Sequence, residues 1–150
     1  MKMIQEVNKN LELVQRFFAC YGSGDLETMK REILAEDVTW IIPGHHPLAG
    51  VKKGANEIVD YFATIAKANF KAEVISLSAS ENHVVDVHRG WGEYGEHKVD
   101  MNWVLVYQIE NGRIKQAQNF AADQHEADQF FWKVWGDELK PVPARLRSED

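Results

Sequence analysis

The chain has 150 residues, 45% of them hydrophobic, 27% charged and 11% aromatic, the make-up of one globular domain rather than a disordered or fibrous chain. Seventeen Lys and Arg against 23 Asp and Glu leave a formal charge of −6, which argues against nucleic acid or an anionic membrane as a partner, since both need a basic patch. No apolar run nears the ~20 residues that span a bilayer, MKMIQEVNKN does not read as a secretory signal, and Cys20 alone can build neither a disulfide framework nor a Cys-based zinc site; a cytoplasmic protein is expected.

Ile4, Val7, Leu11, Val14, Phe18 and Tyr21 recur at spacings of three and four and predict an amphipathic first helix. Gly22-Ser23-Gly24 ends it, and Asp25 is placed to cap a second helix that buries Leu26, Met29 and Ile33. Residues 37–42 are rich in β-branched side chains and stop at Pro43-Gly44, the pattern of a short strand. A third helix follows Gly54, with Ile58, Phe62 and Ile65 inward and Lys67 near its end. Strands are then predicted at 70–80, 83–94, 98–109 and 113–123, with Glu110-Asn111-Gly112 closing a hairpin. Phe130, Phe131, Trp132 and Trp135 form a short helical pattern, and the chain turns polar after Pro141 and Pro143. No linker or repeat divides the chain, so one α+β domain over 1–150 is expected, with its core at about 7–135. Three N-terminal helices against a curved, mainly antiparallel sheet would leave an internal cavity, a natural small-molecule pocket.

The runs VQRFFACYGSGDLETM, EDVTWIIPGHHPLAGVKKGANEIVDYF and VYQIENGRI resemble the SnoaL-like branch of the NTF2-like (cystatin-like α+β barrel) superfamily. That superfamily includes polyketide cyclases, ketosteroid isomerases, epoxide hydrolases, dehydratases and non-catalytic binding domains, so the resemblance implies a fold and leaves the activity open. Matched to the ketosteroid isomerase pattern, the catalytic tyrosine falls at Phe17, the proton-shuttling aspartate at Ile42 and the oxyanion-stabilising acid at Leu105. All three functional groups are missing, and with them that isomerase mechanism. The same match places Trp40, Ile42, His88, Leu105 and Ala117 toward the pocket. By strand alternation Asp86 and Gly90 join His88, Met101, Trp103 and Tyr107 join Leu105, and Asn119, Ala121 and Asp123 join Ala117.

Asp123 falls where cyclase-like members of the resembled family carry an acid/base aspartate, and is expected as general base; the alternative is a cap on the helix that follows. His88 is expected as the hydrogen-bond donor to a developing oxyanion, with Asp86 on the same face to orient its ring; otherwise the two form a satisfied core pair. Asn119 and Tyr21 are candidate ligand contacts, and Trp40, Trp103 and Tyr107 an aromatic lining or plain core. His45 and His46 are neighbours that point apart on an extended chain, so loop solvation rather than a metal site is expected of them. The expected function is cofactor-independent acid/base chemistry of isomerase, cyclase or hydrolase type on an apolar carbonyl compound. The rival is a non-catalytic domain that binds an apolar ligand or a protein partner. Val104, Val106, Phe120 and Ile114 are expected on the convex face, where family members commonly pair, so a homodimer through the sheet is expected as well.

Overall fold

A computed structural model describes residues 2–139, so the polar tail expected after Pro141 lies outside the described residues. Helix α1 (Lys2–Ser23) is amphipathic as expected, but its buried stripe is Asn10, Leu13, Val14, Phe17 and Cys20, while Ile4 is 60% exposed. Two apolar stripes overlap on this helix, one residue (~100°) apart. Packing selects the one centred on Phe17, whose ring meets Trp40, Phe62 and Tyr107 at centroid distances of 5.4, 5.6 and 5.9 Å. Phe18 and Tyr21 are left half-buried along its edge. Asn10 is buried because its amide donates to the carbonyls of Ser80 (3.0 Å) and Glu81 (2.8 Å) in a distant turn.

Asp25 caps the next helical segment by accepting from the Thr28 N–H at 3.1 Å. The segment is one turn of α2 (Leu26–Thr28) running into a π-helical stretch, Met29–Ile33, which buries Met29 and Ile33. Strands β1 (Leu34–Ile42) and β2 (Gly50–Lys53) precede α3 (Ala55–Ala66), which turns Ile58, Phe62 and Ile65 inward. Then come β3 (Lys71–Ala79), β4 (His83–Tyr94), β5 (His97–Glu110), β6 (Arg113–Ala121) and α4 (Gln124–Leu139). The strand β2 was not expected from the sequence. It is a short edge strand, and its lysines Lys52 and Lys53 suit an edge more than an interior.

The six strands form one curved, unclosed sheet in the order β2-β1-β6-β5-β4-β3. Every neighbouring pair is antiparallel except β1 with β6. The helices α1 and α3 fill the concave side. Between Gln108 and Ile109 the β5–β6 register shifts, and Ile114 then pairs with Ile109. A shift of one residue exchanges the two faces, so Ile114 is fully buried rather than on the convex face as expected. No helix among the described residues is long and apolar enough to cross a membrane.

Helix α4 is longer than the short pattern expected, at 16 residues, and is pinned to the loop between β1 and β2. The His45 N–H donates to Asp128 Oδ2 at 3.1 Å, and the Trp132 indole N–H donates to the His45 carbonyl. Asp128 is buried, and its other oxygen accepts from Gln124 at 2.9 Å. His46 is not solvated as expected. It is buried, stacked on Phe131 at 4.5 Å, and its Nδ1 accepts from the Leu48 N–H. The contact requires Gly44, whose φ is +100° and whose added Cβ would lie 2.2 Å from Asp128 Oδ1 and 2.3 Å from Gln124 Nε2. Gly44→Ala should therefore lower stability by about 1–3 kcal/mol, through backbone strain and overpacking; urea unfolding of the two proteins measures the difference.

Candidate active site

A cavity of about 60 Å³ lies between the helices and the sheet. Its helical wall is Phe17, Phe18 and Tyr21 from α1 and Tyr61, Phe62 and Ile65 from α3. Trp40, His88, Trp103, Leu105 and Asn119 line it from the sheet, and Phe131 of α4 closes one end together with Phe70. The walls are aromatic because the apolar stripes of α1 and α3 meet the inward parity of four strands. Ring contacts such as Trp40 with Phe62 (5.3 Å) and Phe70 with Phe131 (6.0 Å) tie the pieces together.

Sheet register sets the polar groups. Asp86, Leu105 and Asn119 stand in one cross-strand row, and His88, Trp103 and Ala121 in the next. Asp86 is fully buried behind the cavity wall. Its Oδ1 lies 2.6 Å from His88 Nδ1, and its Oδ2 accepts from the Tyr107 hydroxyl. A carboxylate only accepts, so the proton on this side of the imidazole sits on Nδ1 and Nε2 is turned away from Asp86. Tyr107 stays a phenol: burial first, then the charge and the hydrogen bond of Asp86, push its pKa well above the ordinary value. The His88 and Phe18 rings meet in a T-shaped contact, with centroids 5.5 Å apart.

Asp123 lies outside this constellation. Its side chain is exposed at the start of α4, where Oδ1 accepts from the Glu126 N–H at 3.0 Å and its carbonyl from Ala127 at 3.1 Å. The expected general base is thus a helix cap, and the reason is local. Strand β6 ends at Ala121, and an aspartate two residues on satisfies a free N–H of the first helical turn. Trp40, Trp103, Asn119 and Tyr21 line the cavity, whereas Asp86 and Tyr107 stand behind it. The Tyr21 hydroxyl is already given to the Phe70 carbonyl at 2.6 Å, and the Trp103 indole N–H to the Gly90 carbonyl at 3.1 Å.

Sequence reasoning missed Tyr61, Phe18 as a wall residue, and Phe131. Tyr61 precedes the buried Phe62 on α3, and a tyrosine at the margin of an apolar stripe was the signal available. Among the described residues no group of three or more His, Cys, Asp or Glu is placed to hold a metal ion.

A match to the SnoaL-like domain covers residues 14–117. An uncharacterised protein of Mycobacterium tuberculosis is 30% identical over 127 residues, which span 82% of this chain and 95% of that protein. Bal32a, from a soil-derived mobile gene cassette, superposes with a TM-score of 0.80 at 29% identity, over 84% of this chain and 98% of its own. An LEH-like epoxide hydrolase of M. tuberculosis shares the fold, with a TM-score of 0.69 at 15% identity over 88% and 97% of the two chains. The chain belongs to the SnoaL-like family, and its architecture is the cystatin-like, or NTF2-like, fold.

The site makes one prediction that needs no ligand. Tyr21, Tyr61 and Tyr107 are each held above the ordinary phenol range, burial being the first cause in all three. Their raised folded pKa values add stability that is complete below pH ~10, where the unfolded phenols are still protonated. Above it the unfolded chain releases protons that the folded one retains, so stability should fall by up to ~1.4 kcal/mol per pH unit for each phenol. Denaturant unfolding at pH 8, 10 and 11, with phenolate absorbance followed alongside, tests this.

Proposed function

We propose that the protein is an acid/base enzyme in which His88 removes a proton next to a carbonyl of a small, largely apolar substrate. The observation that carries this reading is the buried Tyr107–Asp86–His88 chain ending at the cavity wall. Asp86 holds the imidazole in one tautomer and would stabilise the imidazolium formed when Nε2 takes the proton, as in other oriented bases. The Tyr107 hydrogen bond satisfies the second carboxylate oxygen and fixes the plane of the group. Asn119, across Leu105 from Asp86, would position the substrate oxygen. Relative to the sequence expectation, the base moves from Asp123 to His88.

One observation favours a second reading, a binding domain without catalysis. The space of about 60 Å³ is well under the ~300–1,000 Å³ usual for ligand sites. Exchange of α-hydrogens for deuterium in a panel of small cyclic ketones separates the two readings. The wild type should accelerate exchange, and His88→Gln should lose most of it, roughly 10²–10⁴-fold. Ketones that bind without exchange would leave the binding reading in place.

Pairing through the convex face belongs to the same proposal. Val85 (39% exposed) stands opposite Val106, Val87 opposite Val104, and Val104 opposite Phe120 (45% exposed). These side chains form an apolar strip across three strands. Arg89 and Asp100 rim it as an exposed ion pair at 2.6 Å. Light scattering at micromolar concentration should give a dimer, and Phe120→Arg should shift it to monomer.

A further inference from the structure

The cavity presents few polar atoms, and most are spent inside the protein. Tyr21 and Trp103 donate to backbone carbonyls, and His88 Nδ1 is engaged with Asp86. The Tyr61 hydroxyl, the Trp40 indole N–H, the Asn119 amide and His88 Nε2 make no hydrogen bond with any described residue. Yet among the described residues no buried side-chain nitrogen or oxygen is both partnerless and sealed off. Each of these groups therefore opens onto free space, and for wall residues as buried as Trp40 and His88 that space is the cavity.

Tyr61 differs from the rest in where it stands. It comes from α3, while His88, Asn119 and Trp40 come from the sheet. Both Tyr61, on the helical wall, and His88, on the sheet, line the same cavity. Tyr61 is half-buried, and burial pushes its phenol pKa upward; a neutral phenol can donate. Trp40 N–H can only donate, and His88 Nε2 with its lone pair accepts. The complementary ligand brings an acceptor oxygen to the Tyr61 side and an acidic hydrogen to His88. Among the cavity-lining residues Lys71 is the one cation, and it is exposed at the rim. A carboxylate inside would be unpaired, which is strongly unfavourable.

We propose that Tyr61 is a specificity-determining residue that donates its hydroxyl proton to the carbonyl oxygen of a neutral, compact, enolisable ketone or aldehyde. The inference rests on the cavity being the working site of the preceding proposal, and adds the ligand class and the group that recognises it.

The probe is cyclopentanone labelled with ¹³C at the carbonyl, with cyclopentane as its carbonyl-free control. Bound to the wild type, the ketone should show a C=O stretch lowered from its value in hydrocarbon solvent. Tyr61→Phe should return most of that shift and weaken ketone binding roughly three- to tenfold, leaving cyclopentane binding unchanged. His88→Gln should keep the shift. An unshifted band in the wild type, failure of the wild type to bind cyclopentanone at millimolar concentration, or equal losses of both ligands in Tyr61→Phe would overturn the proposal. The two proposals fail separately: α-hydrogen exchange without a Tyr61-dependent shift removes the role of Tyr61, and a shift without exchange removes that of His88.

Discussion

A carboxylate buried in an aromatic core is the constraint around which this molecule is arranged. Asp86 has no exposed surface, and an ionised group in such a place is tolerable only if its oxygens are hydrogen-bonded. Tyr107 and His88 meet that requirement. They can do so because β4 and β5 pair with Val84 opposite Tyr107 and Asp86 opposite Leu105. A slip of one residue between these strands would turn Asp86 outward and leave the Tyr107 hydroxyl without its acceptor. Satisfying the charge therefore specifies the register of the two longest strands. It also sets the imidazole tautomer, which turns Nε2 of His88 away from Asp86.

A second buried carboxylate, Asp128, plays a comparable part at the open end of the sheet. It binds the backbone of the β1–β2 loop and the Gln124 side chain, which holds α4 where Phe131 closes the cavity. Phe131 stacks with both Phe70 and His46. The closure is thus specified by a few directional contacts, and not by apolar burial alone. Two aspartates five residues apart divide the work here: Asp123 caps the helix at the surface, and Asp128 anchors it in the interior.

Apolar residues stand at the positions to which the family resemblance gives polar function, Phe17 and Leu105 at the cavity and Ile42 in the core. These are the positions where the ketosteroid isomerase pattern carries its functional side chains, and all three are buried. In the neighbouring cross-strand row His88 of β4 presents a polar group to the cavity. Inward positions on adjacent strands share the concave side of the sheet, so a polar group can stand on any of several strands.

Hydrophobic periodicity and turn residues determined the helices and the strands of the meander, since these depend on repeats of 3.6 and 2 that local sequence carries; the inward parity of Asp86, His88, Trp103, Leu105, Tyr107 and Asn119 came from the family resemblance, extended along each strand by alternation. The Asp25 cap was legible in the local sequence as well. Tertiary structure decided what periodicity leaves degenerate. The overlapping stripes on α1 were resolved by the rings that meet Phe17. The side on which Ile114 falls was set by a bulge that no residue type announces. Asp123 carried two readings that the sequence holds equally well, because an aspartate at a strand end and one before a helix are the same letter. Only the point where β6 stops and α4 begins separates them. The edge strand β2 stayed hidden because its four residues are too few to show a period of two, and the Asp128 anchor because its partner lies far along the chain: Asp128 reaches His45 across 83 residues. Long-range contacts of this kind exist only once the chain has closed on itself.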